Sequence, residues 1–315
     1  GAPSPYESIR SGGLVVDGEM LRPPPADYPL RQPLCYELAH DEPVLVRSGD
    51  ESTQGEVGPR WRVCDEVRDR ASWPPPRGPL SAGPARQVLS RPFQIVVGTR
   101  AADEAANREL QSLAVYLANQ HFSAQETLVP IINDTEWLAS SSAVVQSGEA
   151  GRAGQGCAPS TDTHAVLLGG PRDNSASAHL DTCGLLPVSF IAEADASCRA
   201  TNGAGQAFAV GPCRFTEAAT GIVFTAPTGG IDAASGEAAG LHVIVAGTDL
   251  LGMKSLISYS YASNQALTRP PLSNMVPDYL VAGPRFAELG YGGALAMGHW
   301  DHAWQYTRAV SSMRC

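Results

Sequence analysis

From about residue 83 onward, short apolar runs alternate with stretches of helical periodicity. The run Pro92-Phe93-Gln94-Ile95-Val96-Val97-Gly98-Thr99 reads as a buried strand that ends in a tight turn. Behind it, Leu110, Leu113, Ala114, Leu117 and Ala118 fall at i, i+3, i+4, i+7 and i+8, the single apolar stripe of an amphipathic helix. Asp103 and Glu104 open that helix, where the macrodipole favours acids. Further strands are predicted at 127–132, 165–170, 187–192, 206–210, 222–225, 241–247, 279–283 and 293–298. A Gly/Ser-rich loop is predicted over about 140–162, and a helix from an N-cap at Thr248 or Asp249 to about Ala262. Apolar strands separated by helices predict an α/β fold with a doubly wound, mostly parallel sheet of Rossmann or flavodoxin type. The segments around 206–225 fit an antiparallel insertion better.

The first 82 residues have a different texture. They hold 13 of the 25 prolines, including Pro23-Pro24-Pro25 and Pro74-Pro75-Pro76, and no helix runs through such sequence. Strand-like pieces appear at Leu14-Val15-Val16 before the turn pair Asp17-Gly18, at Val44-Leu45-Val46 and at Trp61-Arg62-Val63. The chain therefore divides into a Pro-rich β or extended segment (1–82) and an α/β domain (83–315). The first is read as a layer on something larger, because it is too thin for a core of its own.

Charge narrows the function. Lys and Arg number 22 against 32 Asp and Glu, a net charge of −10, so a nucleic-acid partner is not expected. Apolar runs stay strand-sized, so no membrane span is expected. The start lacks a charged n-region and an apolar h-region, which fits a secretory leader already removed.

The seven cysteines (Cys35, Cys64, Cys157, Cys183, Cys198, Cys213 and Cys315) form no CxxC and sit mostly in loop sequence. This favours disulfides and a secreted, extracellular setting over a zinc or redox site. Proximity along the chain favours Cys35–Cys64, Cys157–Cys183 and Cys198–Cys213, and leaves Cys315 either for an interchain bridge or as a free thiol. Asn133-Asp134-Thr135 is the only glycosylation sequon, so Asn133 is the candidate glycan site.

Three strands end on glycine: Val97-Gly98-Thr99, Leu168-Gly169-Gly170 and Ala246-Gly247-Thr248-Asp249. Ligands of open α/β sheets bind outside such carboxyl ends. The candidate ligand crevice is therefore Gly98, Thr99, Arg100, Gly169, Gly170, Asn174, Gly247, Thr248 and Asp249. Any βα turn also uses glycine, which is the plainer reading. No GxGxxG follows the first strand and no GxxxxGK[ST] occurs, so no nucleotide cofactor is expected; no metal is expected either. No serine or cysteine sits on a strand–turn–helix elbow: Ser140-Ser141-Ser142 falls in the predicted loop, and Ser258 and Ser260 fall in a predicted helix. His299-Trp300-Asp301-His302 is the densest cluster of potentially catalytic groups. The alternation of Trp300, His302, Trp304 and Tyr306 marks it as an edge strand, with His299 and Asp301 on one face. His164, His179 and His242 are isolated, and Asp17, Asp173, Asp232 and Asp278 lie in turn-like contexts. Arg86, Arg91 and Arg100 bracket the first strand, where surface ion pairs are their ordinary use.

Several phrases occur together in order. They are Gly83-Pro84-Ala85-Arg86-Gln87-Val88 running into Arg91–Thr99, then Ala165-Val166-Leu167-Leu168-Gly169-Gly170-Pro171 with Asn174, then Val276-Pro277-Asp278-Tyr279, and last Gly292-Gly293-Ala294-Leu295-Ala296-Met297-Gly298-His299-Trp300. Over roughly 83–306 this resembles an α/β region of large secreted multidomain proteins of the prolyl-oligopeptidase-like or polyhydroxybutyrate-depolymerase-like esterase type. In such proteins a separate hydrolase domain carries the serine nucleophile, so the resemblance transfers no catalytic residue. It implies a noncatalytic, proteolytically processed subunit or domain with a partner chain, for which Cys315 is the candidate disulfide link. Two alternatives stay open: an extracellular structural or interaction protein of a cell surface or matrix, and a stand-alone hydrolase using the crevice with Asp249 or His299 as acid/base. Whether the chain is itself an enzyme is left open by the sequence.

Overall fold

The computed structural model describes residues 14–16, 19–21, 36–39, 60–63, 74–78, 80–81, 87–88, 91–145, 164–191, 205–232, 236–259 and 277–314. The chain divides into two compact units, Gly1–Ala71 and Ser72–Cys315.

The first unit contains two antiparallel pairs. Strand β1 (Leu14–Val16) pairs with β2 (Glu19–Leu21), with Val16 opposite Glu19, so that two residues, the Asp17-Gly18 of the sequence, join them. Strand β3 (Tyr36–Ala39) pairs with β4 (Arg60–Val63). The Val44-Leu45-Val46 piece lies outside the described residues.

The second unit is an α/β structure around one large sheet. In chain order it comprises β5 (Phe93–Val97), α1 (Glu104–Gln125), β6 (Ile131–Asn133), α2 (Asp134–Val145), β7 (His164–Leu168), α3 (Ser175–Thr182), β8 (Ser189–Phe190), β9 (Phe208–Val210) and β10 (Cys213–Phe215). It continues with β11 (Gly221–Pro227), β12 (Leu241–Gly247), α4 (Leu250–Tyr259), β13 (Tyr279–Ala282), α5 (Phe286–Leu289), a 3-10 turn (Gly290–Gly293), β14 (Ala294–Trp300) and β15 (Tyr306–Met313). The eight-stranded sheet has the order β15-β14-β13-β11-β12-β7-β5-β6. Its half β6-β5-β7-β12 is parallel, and the remaining pairings, β12-β11, β11-β13, β13-β14 and β14-β15, are antiparallel.

The sheet is thus mixed, and the expected parallel arrangement holds for one half of it. The reason lies in the connections. A parallel neighbour needs a crossover of a dozen or more residues, usually a helix. Helices α1, α2 and α3 follow the parallel strands, whereas β11 returns to β12 through a Gly/Ala-rich loop closed by an Ile231–Ala238 bridge. The segment around 206–225 divides between two sheets. Strands β8, β9 and β10 form a separate three-stranded antiparallel sheet, and β11 lies in the middle of the large one. Strands β7, β11, β12 and β13 are buried along their whole length, which explains their near-continuous apolar sequence.

Two further expectations change. Ser140-Ser141-Ser142 lies within α2 rather than in a loop. That helix starts with Asp134 and Glu136 in its first turn and anchors on the fully buried Trp137, signals that outweigh the serine run. The 299–306 stretch is not one strand. Strand β14 ends at Trp300, and the Asp301 carboxylate accepts the amides of Ala303 (2.9 Å) and Gln305 (2.8 Å) to close a turn. Trp304 takes a left-handed φ of 63°, and the chain re-enters the sheet as edge strand β15. His299 and Asp301 therefore do not share one strand face.

Residues 74–81 share the proline content of the preceding chain but belong to the second unit. Pro75 O accepts the buried Trp304 Nε1 at 2.8 Å, and Pro76 O accepts Ala238 N at 2.9 Å.

Candidate functional site

The carboxyl ends of β5 and β7 meet where the chain order of the parallel half reverses, the position at which open α/β sheets bind ligands. Asn174 fills it. This buried side chain donates through Nδ2 to Val96 O (3.2 Å) on β5 and to Leu168 O (3.0 Å) on β7. Its Oδ1 accepts Ala176 N (2.9 Å) and Ser177 N (3.1 Å), which caps α3. Both donors and the acceptor are spent on the protein's own backbone. Gly98 and Gly169 flank it because a Cβ on Gly98 would strike the Asp173 carbonyl, and because Gly169 has φ +108°. Gly170 packs beneath the Phe190 ring, and Ser177 Oγ donates to Gly169 O at 2.8 Å.

The helix N-terminus is filled as well. Asp134, fully buried, accepts Thr99 Oγ1 at 2.7 Å and Thr135 N at 2.9 Å through Oδ1. Its Oδ2 accepts Ser175 N at 2.5 Å, at the first turn of α3. A carboxylate of the chain thus stands where a bound anion would stand.

At the third glycine end, Thr248 Oγ1 donates to Glu217 O (2.8 Å). Asp249 accepts Ala219 N (2.9 Å) on one oxygen and Gly252 N (2.9 Å) on the other, capping α4. Gly247 gives room for the backbones of Thr220 and Met253. Of the nine crevice residues expected from the sequence, Thr99 and Arg100 are exposed and the other seven are buried.

Sequence reasoning missed Asp173, which is more than a turn former. It is fully buried; Oδ2 accepts Gly205 N at 2.8 Å, and Oδ1 has no hydrogen-bond partner. Burial raises its pKa to about 6 against the opposing pull of the Gly205 amide, Arg172 and Arg100. Only its place beyond a strand end in the sequence could have signalled this.

A second constellation sits in the antiparallel half of the sheet, where β13 begins. Asp278, 1 % exposed, receives both arms of Arg77, Nη1 at 2.7 Å on Oδ2 and Nη2 at 3.0 Å on Oδ1. Trp300 N donates to Oδ2 at 2.9 Å, and His299 Nδ1 lies 3.4 Å from the same oxygen. Burial works to raise the Asp278 pKa, but the bonds from His299, Arg77 and Trp300 outweigh it and hold the carboxyl below its ordinary range. Arg77 also donates to Trp300 O (2.9 Å) and lies 5.0 Å over the Trp304 ring. His299 is half-exposed, at 49 %, so an oriented imidazole faces solvent beside a buried carboxylate. Chemically this is a base with its orienting group. Asp301 and His302, the other members of the predicted cluster, are exposed on the turn that follows.

Among the described residues, no group of three His, Cys, Asp or Glu side chains is placed to hold a metal ion, and no helix is long and apolar enough to cross a membrane. Asn133 is exposed at the end of edge strand β6. Cys183 and Cys213 each take part in a disulfide. Cys35, Cys64, Cys157, Cys198 and Cys315 lie outside the described residues, and so do the pairings expected for them. His164 and His242 are fully buried, with no hydrogen-bond partner on either ring nitrogen.

No protein-family model matches the chain, and neither a curated protein nor a solved structure matches it.

Proposed function

We propose that this chain is a secreted, noncatalytic α/β domain or subunit of a serine-hydrolase-like peptidase or esterase. Its parallel half is read as a doubly wound, flavodoxin-like layer, and the Pro-rich segment as a layer added to it. The order β6-β5-β7-β12, with α1 against α4 and α2 against α3, supports that fold reading. One observation carries the functional reading: Asn174 and Asp134 occupy the switch point and the α3 N-terminus with the chain's own groups. A domain that holds its ligand position closed in this way is suited to support another domain rather than to turn over a substrate there. The bonded state of Cys183 and Cys213 supports an oxidising, extracellular compartment. A glycan on Asn133 and a covalent partner through Cys315 belong to the same reading.

The test uses protein from its native source, treated with a serine-directed fluorophosphonate and weighed intact with and without reductant. The expected label falls on a partner chain or domain and on no serine of residues 1–315. A labelled serine within this chain overturns the noncatalytic reading, and an unlabelled preparation with no second chain or domain overturns the association with a hydrolase.

A second reading is favoured by the 3.4 Å contact between His299 and Asp278, which presents an oriented base to solvent. In that reading the chain is itself a hydrolase and His299 is its acid/base. Asp249 does not serve, because both its oxygens are engaged in capping α4 and holding Ala219. Unchanged turnover in His299→Ala removes this reading.

A further inference from the structure

Helices α1, α4 and α5 form one continuous layer, α1 packed on α4 and α4 on α5. Six of the nine large hydrophobic side chains exposed among the described residues lie on this layer or on the 3-10 turn that extends it. Three of them, Val115 (44 %), Tyr116 (42 %) and Phe122 (48 %), are on α1. Leu251, Leu289 and Tyr291 are the others.

The charges of the layer cancel. Glu104 pairs with Arg108 (2.9 Å), Glu109 with Lys254, the only lysine of the chain (2.5 Å), and Glu288 with Arg285 at the start of α5 (3.4 Å). Beyond Glu109, α1 carries no Asp, Glu, Lys or Arg through Gln125, and burial disfavours the charged form of His121, the one histidine there. The protein as a whole has a net charge of −10. A neutral, apolar face is where two copies of an acidic protein approach with the least repulsion.

The two exposed aromatic residues of α1 are equally spaced about one exposed polar residue. Tyr116 and Phe122 each stand three residues from the exposed Asn119. An antiparallel pairing of two α1 helices about a two-fold axis at Asn119 sets Tyr116 of each copy against Phe122 of the other. The two Asn119 side chains then meet across the axis, and Glu126 falls opposite Ser112 rather than opposite another acid. This is the reciprocal contact pattern of an isologous interface.

We infer that the α1–α4–α5 layer is a docking surface for a second copy of this chain, with the dimer axis at Asn119. The inference is independent of the hydrolase reading above. Sedimentation equilibrium of the full chain over a wide concentration range tests it. The expected species is a dimer. Phe122→Asp and, separately, Tyr116→Glu weaken it by about 10- to 100-fold, the effect of losing one buried aromatic contact per copy. Both positions are on the surface, so the circular dichroism spectrum stays that of the parent, and so does the urea midpoint measured at concentrations low enough that every protein is monomeric. Asn119→Cys forms a reducible crosslinked dimer under mild oxidation, and Ser112→Cys does not. A chain that is monomeric throughout overturns the inference, as does a dimer indifferent to both variants. Capture of a different chain by this face, lost in Phe122→Asp, overturns the self-pairing. Should Phe122→Asp fail to fold, Tyr116→Glu and the Asn119→Cys crosslink decide.

Discussion

The Asp134 carboxylate receives the Ser175 amide at 2.5 Å and so joins the start of α2 to the start of α3 across the end of β5. The same group holds Thr99 through its hydroxyl at 2.7 Å, so one buried side chain ties three elements at the expected ligand position. Replacing it leaves buried donors without acceptors. Asp134→Ala and Asp134→Asn are both expected to lower stability by about 2–3 kcal/mol, since Asn supplies one acceptor where two are used. The shift in urea midpoint measures this. Inorganic phosphate is expected to restore part of the loss in Asp134→Ala, because the vacated helix N-terminus takes an anion, and to leave the parent chain unchanged. Equal phosphate effects on both proteins would show that the carboxylate is not standing in an anion position.

Arg77 and Asp278 form a second knot that joins the Pro74–Ser81 segment to the sheet. A buried ion pair costs desolvation on both sides, so removing one partner is worse than removing both. Arg77→Met is expected to destabilise by about 3–5 kcal/mol, and Arg77→Met with Asp278→Asn by distinctly less. Chemical denaturation of the two single variants and the double variant closes the cycle. Additive losses would mean that Asp278 is sustained by Trp300 N and His299 without the guanidinium.

Much of the second unit is legible in the sequence because its strands and helices follow their own periods. The stripe from Leu110 to Ala118 corresponds to the inner face of α1, Asp103 caps that helix, and Asp249 caps α4. Strand β12 spans the predicted 241–247. What the sequence conceals is long-range. Asp278 reads as a turn residue because its partner, Arg77, lies 201 residues away. Strand direction is hidden in the connections: β11 and β12 look like β5 and β7 in composition, and only the loop between them makes their pairing antiparallel. At the crevice, glycine marks a close approach correctly at Gly98 and Gly169. The approaching group is the backbone and side chain of Asp173 and Asn174 rather than a ligand.

Trp304 combines a left-handed backbone with full burial, and two contacts hold it there: Nε1 to Pro75 O and the Arg77 guanidinium over its ring. A non-glycine residue in this region costs on the order of 1 kcal/mol, which its packing offsets. Trp304→Phe keeps an aromatic ring in the turn but leaves Pro75 O unpaired, and is expected to lose about 1–3 kcal/mol. The affected region is expected to be local. Amide exchange is expected to accelerate at Arg77, whose N–H bonds His302 O, and across the β14–β15 turn, and not in β5 or β7. Uniform acceleration through the sheet would argue against a locally docked segment.

Acid is expected to destabilise the fold through His164 and His242. Burial, with a smaller contribution from Arg91, lowers His164 to about 4; burial, with a smaller contribution from His164, lowers His242 to about 3. Both are neutral in the folded state at a pH where the unfolded chain, with pKa values near 6.5, has already bound protons. The unfolded state then holds more protons, so the histidine contribution falls as pH drops below about 6.5 and continues to fall to about 4 for His164 and about 3 for His242. Asp173 works in the opposite direction. Raised to about 6 mainly by burial, it stays protonated in the fold while its unfolded counterpart ionises above about 3.8, so its contribution is lost as pH rises toward 6. Between pH 4 and 6 the two histidines against one aspartate leave a net slope of about 1.4 kcal/mol per pH unit, downward toward acid. Urea midpoints at pH 7, 6, 5 and 4 measure it. His242→Phe, which fills the same space beside Trp137, is expected to bring the net slope between pH 4 and 6 close to zero, because His164 and Asp173 then offset each other, and Asp173→Asn is expected to about double it. An unchanged slope in His242→Phe would show that this ring is protonated in the folded state and that acid lability arises elsewhere.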